Sequence, residues 1–208
     1  MASDSTVGDV DAALELARRL ARGLDVRLTY HDLRHTFGEV LPAARMLAND
    51  LGIGEHDRAL IDVAAAFHDL GHLETHVEHE DASIAMARDH LPALGFSPDD
   101  IERIAGMIRA TRLPQRPQNV VERILADADL AVLAADDFLE RNDDLHREVC
   151  AFGPWRPKAT WWSEQQAFLL DHVDHTSAAR ARFRAGRVAN AERLAERQRG
   201  FLEQEGVC

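Results

Sequence analysis

The segment that most restricts the fold covers residues 60–67. It is apolar at every position except Asp62, and the ionisable pair His68-Asp69 follows it directly. An almost wholly apolar run is typical of a helix that is buried on all sides. Burying an ionisable pair is costly unless the two groups are paired or bind a metal. The sequence therefore predicts a buried central helix over about residues 55–69, and the polar end of this helix needs a partner.

Apolar residues recur at helical spacing along most of the chain, and strand signals are weak. Besides the central helix, the pattern predicts helices over about residues 7–21, 33–47, 82–91, 97–111, 119–136 and 163–204. Pro42 predicts a kink or a break, and the glycine and prolines within residues 153–157 mark the clearest interruption. We expect an all-α protein with a helical domain over residues 1–150. Residues 151–208 would form a long C-terminal helical extension, packed on the core or on a partner subunit.

Charge and cysteine content limit the class of function. The chain has 24 Lys and Arg against 36 Asp and Glu, which gives a formal net charge of −12. Such a chain repels phosphate backbones, so nucleic-acid binding is disfavoured. The two cysteines, Cys150 and Cys208, fit a reducing cytoplasm, and the sequence has neither a signal-peptide pattern nor a membrane-length apolar run. We expect a cytoplasmic protein with neither a nucleic-acid nor a membrane partner.

Two further predicted helices carry groups that match the His68-Asp69 pair. His31 and His35 are four residues apart, so they share one helix face. Asp127 and Asp129 lie inside an otherwise apolar run and also need a cation or another partner. Imidazole and carboxylate groups together suit Mn, Fe, Zn, Co, Ni or Mg. The sequence therefore predicts a divalent metal site at which positions stay open for water and substrate.

In this order, the motifs resemble the HD-domain superfamily of metal-dependent phosphohydrolases. The resemblance rests on YHDLRHT at residues 30–36, FHDLGH at residues 67–72 and DADL at residues 127–130. It covers roughly residues 30–149 and implies an HD-type helical bundle. The metal ligands that it implies are His35, His68, Asp69 and one of the two late acids. Asp129 is the preferred late ligand because a leucine follows it, and Asp127 is the alternative.

The resemblance also implies roles around the metal. His31 matches a histidine of the cyclic-nucleotide phosphodiesterase branch that resembles a general acid for the leaving alcohol. Asp32 stands where that branch often has asparagine, so the alternatives for His31 are substrate orientation and an ordinary surface position. Asp69 would bind the metal and also steer the attacking water. His79 lies where two-metal members place another ligand, but the region around Leu113 lacks the further histidine that those members add.

A second metal is therefore left open, with His72 and His76 as substitute ligands, although loop histidines are more often solvated. Arginine makes bidentate contacts with phosphate. The residues expected to bind the substrate are Arg34, Arg112, Arg116 and His79.

Together with these residues, the resemblance implies a metal-dependent phosphomonoesterase or phosphodiesterase. Its substrate would be a small phosphorylated metabolite, such as a nucleotide or a cyclic nucleotide. One alternative is an HD-type di-iron oxygenase, and another is a non-catalytic metal-binding sensor or partner domain. A homodimer formed through the C-terminal helices is the protein partner that the sequence suggests.

Overall fold

The computed structural model describes residues 7–204. This part of the chain contains nine α-helices, one π-helical turn and three short 3-10 segments, and no β-strand. The predicted all-α class is confirmed. None of the helices in residues 7–204 combines the length and the apolar character needed to cross a membrane. Cys208, on which part of the cytoplasmic prediction rests, lies outside the described residues.

The helices fall into two compact units. Among the described residues, the first unit comprises residues 7–25 and 31–129, and the second comprises residues 26–30 and 130–204. The first unit contains α1 (Val10–Ala21), α2 (Leu41–Asp50), α3 (Glu55–Phe67), α4 (His79–His90), α5 (Pro98–Thr111) and α6 (Val120–Asp129). The second contains α7 (Phe138–Phe152), α8 (Lys158–Asp171) and α9 (Ser177–Gln204). The division into domains 1–150 and 151–208 stays a prediction.

The core of the first unit is α3, as the sequence predicts. Its side chains at Leu60, Ile61 and residues 63–67 are completely buried, and it packs against α1, α2, α5 and α6. The α-helix ends at Phe67, two residues earlier than predicted, because the backbone of Asp69 leaves the helical region (φ −105°, ψ 2°). A 3-10 turn, Leu70–Leu73, follows. The His68-Asp69 pair therefore lies between the end of the buried helix α3 and the following 3-10 turn.

The predicted irregularity at Pro42 takes the form of a change of helix type. A π-helical turn, His35–Val40, leads directly into α2, and Pro42 lies in the first turn of α2. Proline is tolerated there because the first N–H groups of an α-helix have no partner within the helix. The π-helical turn carries His35 at its first position, so this irregular backbone presents one of the predicted ligands.

Two predicted helices in the second half of the chain are wrong in extent. The helix predicted over residues 119–136 stops at Asp129, and a 3-10 segment, Ala131–Ala134, follows it. The helix predicted over residues 163–204 is two helices, because the chain becomes extended at His172 and a new helix begins after Thr176. The Thr176 hydroxyl accepts the Ala179 N–H at 3.0 Å and so satisfies a donor at the start of α9.

Candidate metal centre

The four predicted ligands meet in the first unit. His35 is the first residue of the π-helical turn, His68 and Asp69 directly follow α3, and Asp129 is the last residue of α6. Each ligand therefore lies at or next to an end of a helical element, and these ends come together in the first unit. Two of these elements, α3 and α6, pack against each other and are anchored by buried apolar side chains.

The imidazoles and carboxylates are in direct contact. His35 Nε2 lies 3.2 Å from Asp129 Oδ1 and 3.5 Å from Asp69 Oδ2. His68 Nε2 lies 3.0 Å from Asp69 Oδ2 and 3.4 Å from Asp129 Oδ1. One ligand atom from each of His35, His68 and Asp129 falls in a group whose members are all within 4.8 Å of one another. The structure thus brings together all four residues that the sequence singled out as ligands.

Two atoms of this cluster test whether a metal fits. His68 Nε2 and Asp69 Oδ2 are fully buried, and neither has a hydrogen-bond partner of acceptable geometry among residues 7–204. Buried polar atoms in proteins are nearly always satisfied, so an unsatisfied pair needs an explanation. Imidazole nitrogen and carboxylate oxygen are donors that divalent transition metals accept. The residues present therefore fit a divalent metal ion.

Contacts behind the cluster orient the two histidines. His68 Nδ1 donates to the Ala65 carbonyl at 2.8 Å, which directs Nε2 toward the carboxylates. His35 Nδ1 donates to Glu39 Oε2 at 3.2 Å, and Arg34 Nε lies 3.1 Å from the other oxygen of Glu39. A carboxylate or carbonyl behind a ligating histidine fixes its tautomer and raises its basicity. The sequence did not single out Glu39, because an acid four residues after a histidine is also the spacing of an ordinary surface pair.

Burial and neighbouring charge act in opposite directions on the two histidines. Burial disfavours a charged imidazole at His35, but the contacts with Asp129 and Glu39 outweigh it and raise its pKa to about 9. Burial is likewise outweighed at His68, where Asp69 and Asp129 raise the pKa well above its usual value. The centre thus favours positive charge at its imidazoles, and a divalent cation supplies such charge in place of the protons.

The two carboxylates respond in the opposite sense. Burial would raise the pKa of Asp69, but His68 and His79 hold it well below its usual value. Burial is also outweighed at Asp129, where His35 and His68 lower the pKa. Both carboxylates are therefore ionised at neutral pH, which is the form in which they bind metals.

Asp129, rather than Asp127, belongs to the cluster. The two acids are two residues apart on α6, so their side chains point about 200° apart. Asp127 is buried at 1% exposure, whereas Asp129 contacts both His35 and His68. The geometry therefore places in the centre the acid that the sequence preferred.

A second group of histidines lies on the other side of Asp69. His79, the first residue of α4, has its Nε2 3.2 Å from Asp69 Oδ1. Burial opposes a charge on His79, but Asp69 raises its pKa. The His72 ring stacks on the His79 ring with a centroid distance of 4.0 Å, and the His31 ring centroid is 4.6 Å from that of His72. Asp69 is therefore the point at which the two groups of histidines meet.

The predicted phosphate-binding arginines lie in different surroundings. Arg34 contacts Glu39 and so takes part in supporting His35. Arg112 Nε lies 3.3 Å from Glu80 Oε2, and Arg112 Nη2 lies 2.8 Å from Asp81 Oδ2. Glu80 and Asp81 directly follow His79 in the sequence. Arg116 is exposed and lines a groove of about 450 Å³ together with Arg112. Arg112 is thus the predicted arginine that the structure ties most closely to the histidine group beside Asp69.

Comparisons with known proteins agree with this arrangement. The HD domain family model matches residues 33–131, a range that contains all four clustered ligands. The fold is similar to the crystal structure of a predicted HD superfamily hydrolase from an uncultured Thermotogales bacterium. The TM-score is 0.61 at 20% sequence identity, and the match covers 97% of this chain and 95% of the other. A search of curated proteins finds no significant match. Residues 33–131 of this chain therefore match the HD domain family, and the fold is shared with an HD superfamily structure.

Proposed function

We propose that the protein is a metal-dependent phosphohydrolase that cleaves a phosphoester bond in a small metabolite. The observation that carries this proposal is the buried cluster of two imidazoles and two carboxylates at the ends of the π-helical turn, α3 and α6. Its atoms His68 Nε2 and Asp69 Oδ2 have no hydrogen-bond partner within residues 7–204. A nucleotide or cyclic nucleotide is the substrate class that the family resemblance favours.

The metal would be held by His35, His68, Asp69 and Asp129. When bound, a divalent metal lowers the pKa of a coordinated water and polarises a phosphoryl oxygen. The protein's own groups set the geometry for this chemistry. Glu39 and the Ala65 carbonyl hold the imidazoles in the tautomer that leaves Nε2 facing the centre.

Asp69 is placed to do more than bind metal. Its Oδ2 faces His35 and His68, and its Oδ1 faces His79. We therefore assign Asp69 the orientation of the attacking water. We propose that His79 and Arg112 bind the phosphoryl group. His79 contacts Asp69, and Arg112 contacts Glu80, the residue after His79. Arg34 and Arg116 are proposed to bind outlying parts of the substrate.

His31 is proposed to assist departure of the leaving group. Its ring centroid lies 5.6 Å from that of His35 and 4.6 Å from that of His72, so it borders the ligand cluster without belonging to it. Replacing His31 should therefore lower turnover and leave the first metal in place.

The test is a screen of the full chain after its metal has been removed and replaced separately by Mn, Fe, Zn, Co, Ni or Mg. Each form is assayed against nucleotides, cyclic nucleotides, sugar phosphates, p-nitrophenyl phosphate and bis-p-nitrophenyl phosphate, which separates monoesterase from diesterase activity. We expect turnover that is lost in His68→Ala. A fully loaded protein that hydrolyses none of these compounds would contradict the proposal and favour a sensor domain.

A di-iron oxygenase is the second candidate function, because the histidines beyond Asp69 provide groups for a second iron. This alternative predicts iron in the purified protein and oxygen consumption with a reduced organic substrate. A phosphohydrolase predicts phosphate release without oxygen consumption. Iron analysis and an oxygen electrode distinguish the two functions.

A further inference from the structure

A second group of potential ligands shares Asp69 with the first. One atom from each of His31, Asp69 and His72 falls in a group whose members are all within 4.8 Å of one another. His72 is 7% exposed and Asp69 is 5% exposed. From the sequence, His72 is expected in a solvated polar loop, whereas its side chain is buried in the structure. Two imidazoles and a carboxylate at this spacing are a donor set for a divalent cation.

The backbone around His72 is held firmly. A Cβ on Gly71 would lie 1.9 Å from the carbonyl oxygen of His79, so only glycine lets this turn pack directly on the start of α4. The Gly71 N–H donates to Ser83 Oγ at 2.8 Å, and the Ser83 hydroxyl donates to the His68 carbonyl at 2.6 Å. Ser83 thereby ties together the turns that carry His68, Asp69 and His72. The packing and hydrogen bonds of its neighbours therefore fix the backbone at His72, and its ring stacks on that of His79.

Asp69 directs one carboxylate oxygen toward the histidines of the first site and the other toward the histidines on its opposite side. Its Oδ2 is 3.0 Å from His68 Nε2, and its Oδ1 is 3.2 Å from His79 Nε2 on the other side. A carboxylate in this position can serve two cations at once. Paired metal sites in hydrolases lie about 3.5–4 Å apart and stabilise both the attacking and the leaving oxygen.

We infer that His31, Asp69 and His72 bind a second divalent cation, with Asp69 shared between the two sites. This inference rests on the proposed function and deepens it. The ligand set differs from the two-metal pattern described above, which uses a histidine near Leu113 that this chain lacks. His79 stacks on His72 and contacts Asp69 Oδ1, so it positions two of the ligands.

As a ligand of the second cation, His31 acts differently from a general acid. A nitrogen that binds a metal has no proton to donate. His31 therefore assists the leaving group by holding the second cation and not as a free acid. This difference is measurable, because a proton donor can be removed without loss of metal and a ligand cannot.

The experiment measures metal content and magnetic coupling in the full chain. The protein is stripped with a chelator, saturated with Mn²⁺, freed of excess ion and analysed by mass spectrometry for manganese. Low-temperature electron paramagnetic resonance then reports whether the ions are coupled. We expect two ions per chain and a coupled signal in the wild type. His31→Ala and His72→Ala should each retain one ion and lose the coupled signal.

His76→Ala is the matched control, because His76 is an exposed histidine near the same turn and lies outside the proposed set. It should retain both ions. His72→Asn replaces His72→Ala if circular dichroism shows that the alanine variant is not folded. One uncoupled ion per chain in the saturated wild type would overturn the inference while leaving the one-metal hydrolase intact. Two ions in His31→Ala with reduced turnover would also overturn it and would assign His31 to proton transfer.

Discussion

The role of Glu39 behind His35 allows a quantitative prediction. Glu39 Oε2 accepts a hydrogen bond from His35 Nδ1 at 3.2 Å, and the Glu39 side chain is 19% exposed. Loss of a carboxylate in this position typically lowers metal affinity or activity by about 10–100-fold. Each factor of ten corresponds to about 1.4 kcal/mol in binding free energy. Two substitutions divide this effect into its hydrogen-bonding and charge components.

Glu39→Gln keeps an oxygen that can accept the hydrogen bond and removes only the charge. We therefore expect the lower limit, a loss of about tenfold in affinity for the first metal. Glu39→Ala removes both the hydrogen-bond acceptor and the charge, so the loss of affinity for the first metal should approach about 100-fold. Competitive titration against a metal indicator of known affinity measures both values. Asp62→Asn is the control, because the Asp62 carboxylate pairs with Arg45 and is not part of the ligand cluster, and it should leave the affinity unchanged.

An orienting role for Glu39 is refuted if the affinities of both Glu39 variants stay within twofold of the wild type. It is also refuted if Glu39→Gln loses more affinity than Glu39→Ala. A loss of folded protein is recognised separately from the far-ultraviolet circular dichroism of the metal-free variants. The order of the two losses, and not only their presence, is therefore the result that supports an orienting role.

Proton release on metal binding, packing at Gly71 and the choice between Asp127 and Asp129 can each be tested. Because the pKa of His35 is raised to about 9 in the metal-free centre, binding a metal at pH 7 displaces a proton. Apparent affinity should then rise from pH 7 to 9, and calorimetry in two buffers should detect the released proton; a flat profile would contradict this. Gly71→Ala should destabilise the protein by about 1–3 kcal/mol in denaturant unfolding, because the turn must move away from α4. Gly200→Ala, with open space around the added methyl group in α9, should have no such cost. Asp129→Asn should lose metal and activity, whereas the buried Asp127→Asn should retain both and lose stability; the reverse result would move the ligand assignment by two positions.

The parts of the centre that could be predicted from sequence are those that break a strong local pattern. His68-Asp69 stands out because it ends the most apolar run of the chain, and Asp129 stands out as an acid inside a second apolar run. Burial makes such groups expensive, so their presence alone indicates a partner. The start of α5 was predictable from another local signal, because the Ser97 hydroxyl caps the helix by accepting the Asp100 N–H at 3.1 Å.

The parts that could not be predicted depend on packing between distant segments. The spacing of His35 and Glu39 looks like an ordinary surface pair, and the π-helical turn that carries both has no sequence pattern of its own. His72 ends the FHDLGH motif before a polar stretch, and its burial depends on the contact of Gly71 with α4. The break before α9 contains neither proline nor glycine. The start of α9 is recognised from the structure, in which the Ala179 N–H donates a hydrogen bond to the Thr176 hydroxyl.

Asp69 contacts members of both histidine groups and is the ligand that the two proposed metal sites share. Removing His68 takes a ligand from the first site alone, and removing His72 takes one from the second site alone. Removing Asp69 takes a ligand from both sites and also leaves His79 without the carboxylate that raises its pKa. Binding at two sites that share a ligand is coupled, and such coupling is reciprocal. The first ion should therefore fix Asp69 in the orientation that the second ion requires, so that filling one site favours filling the other.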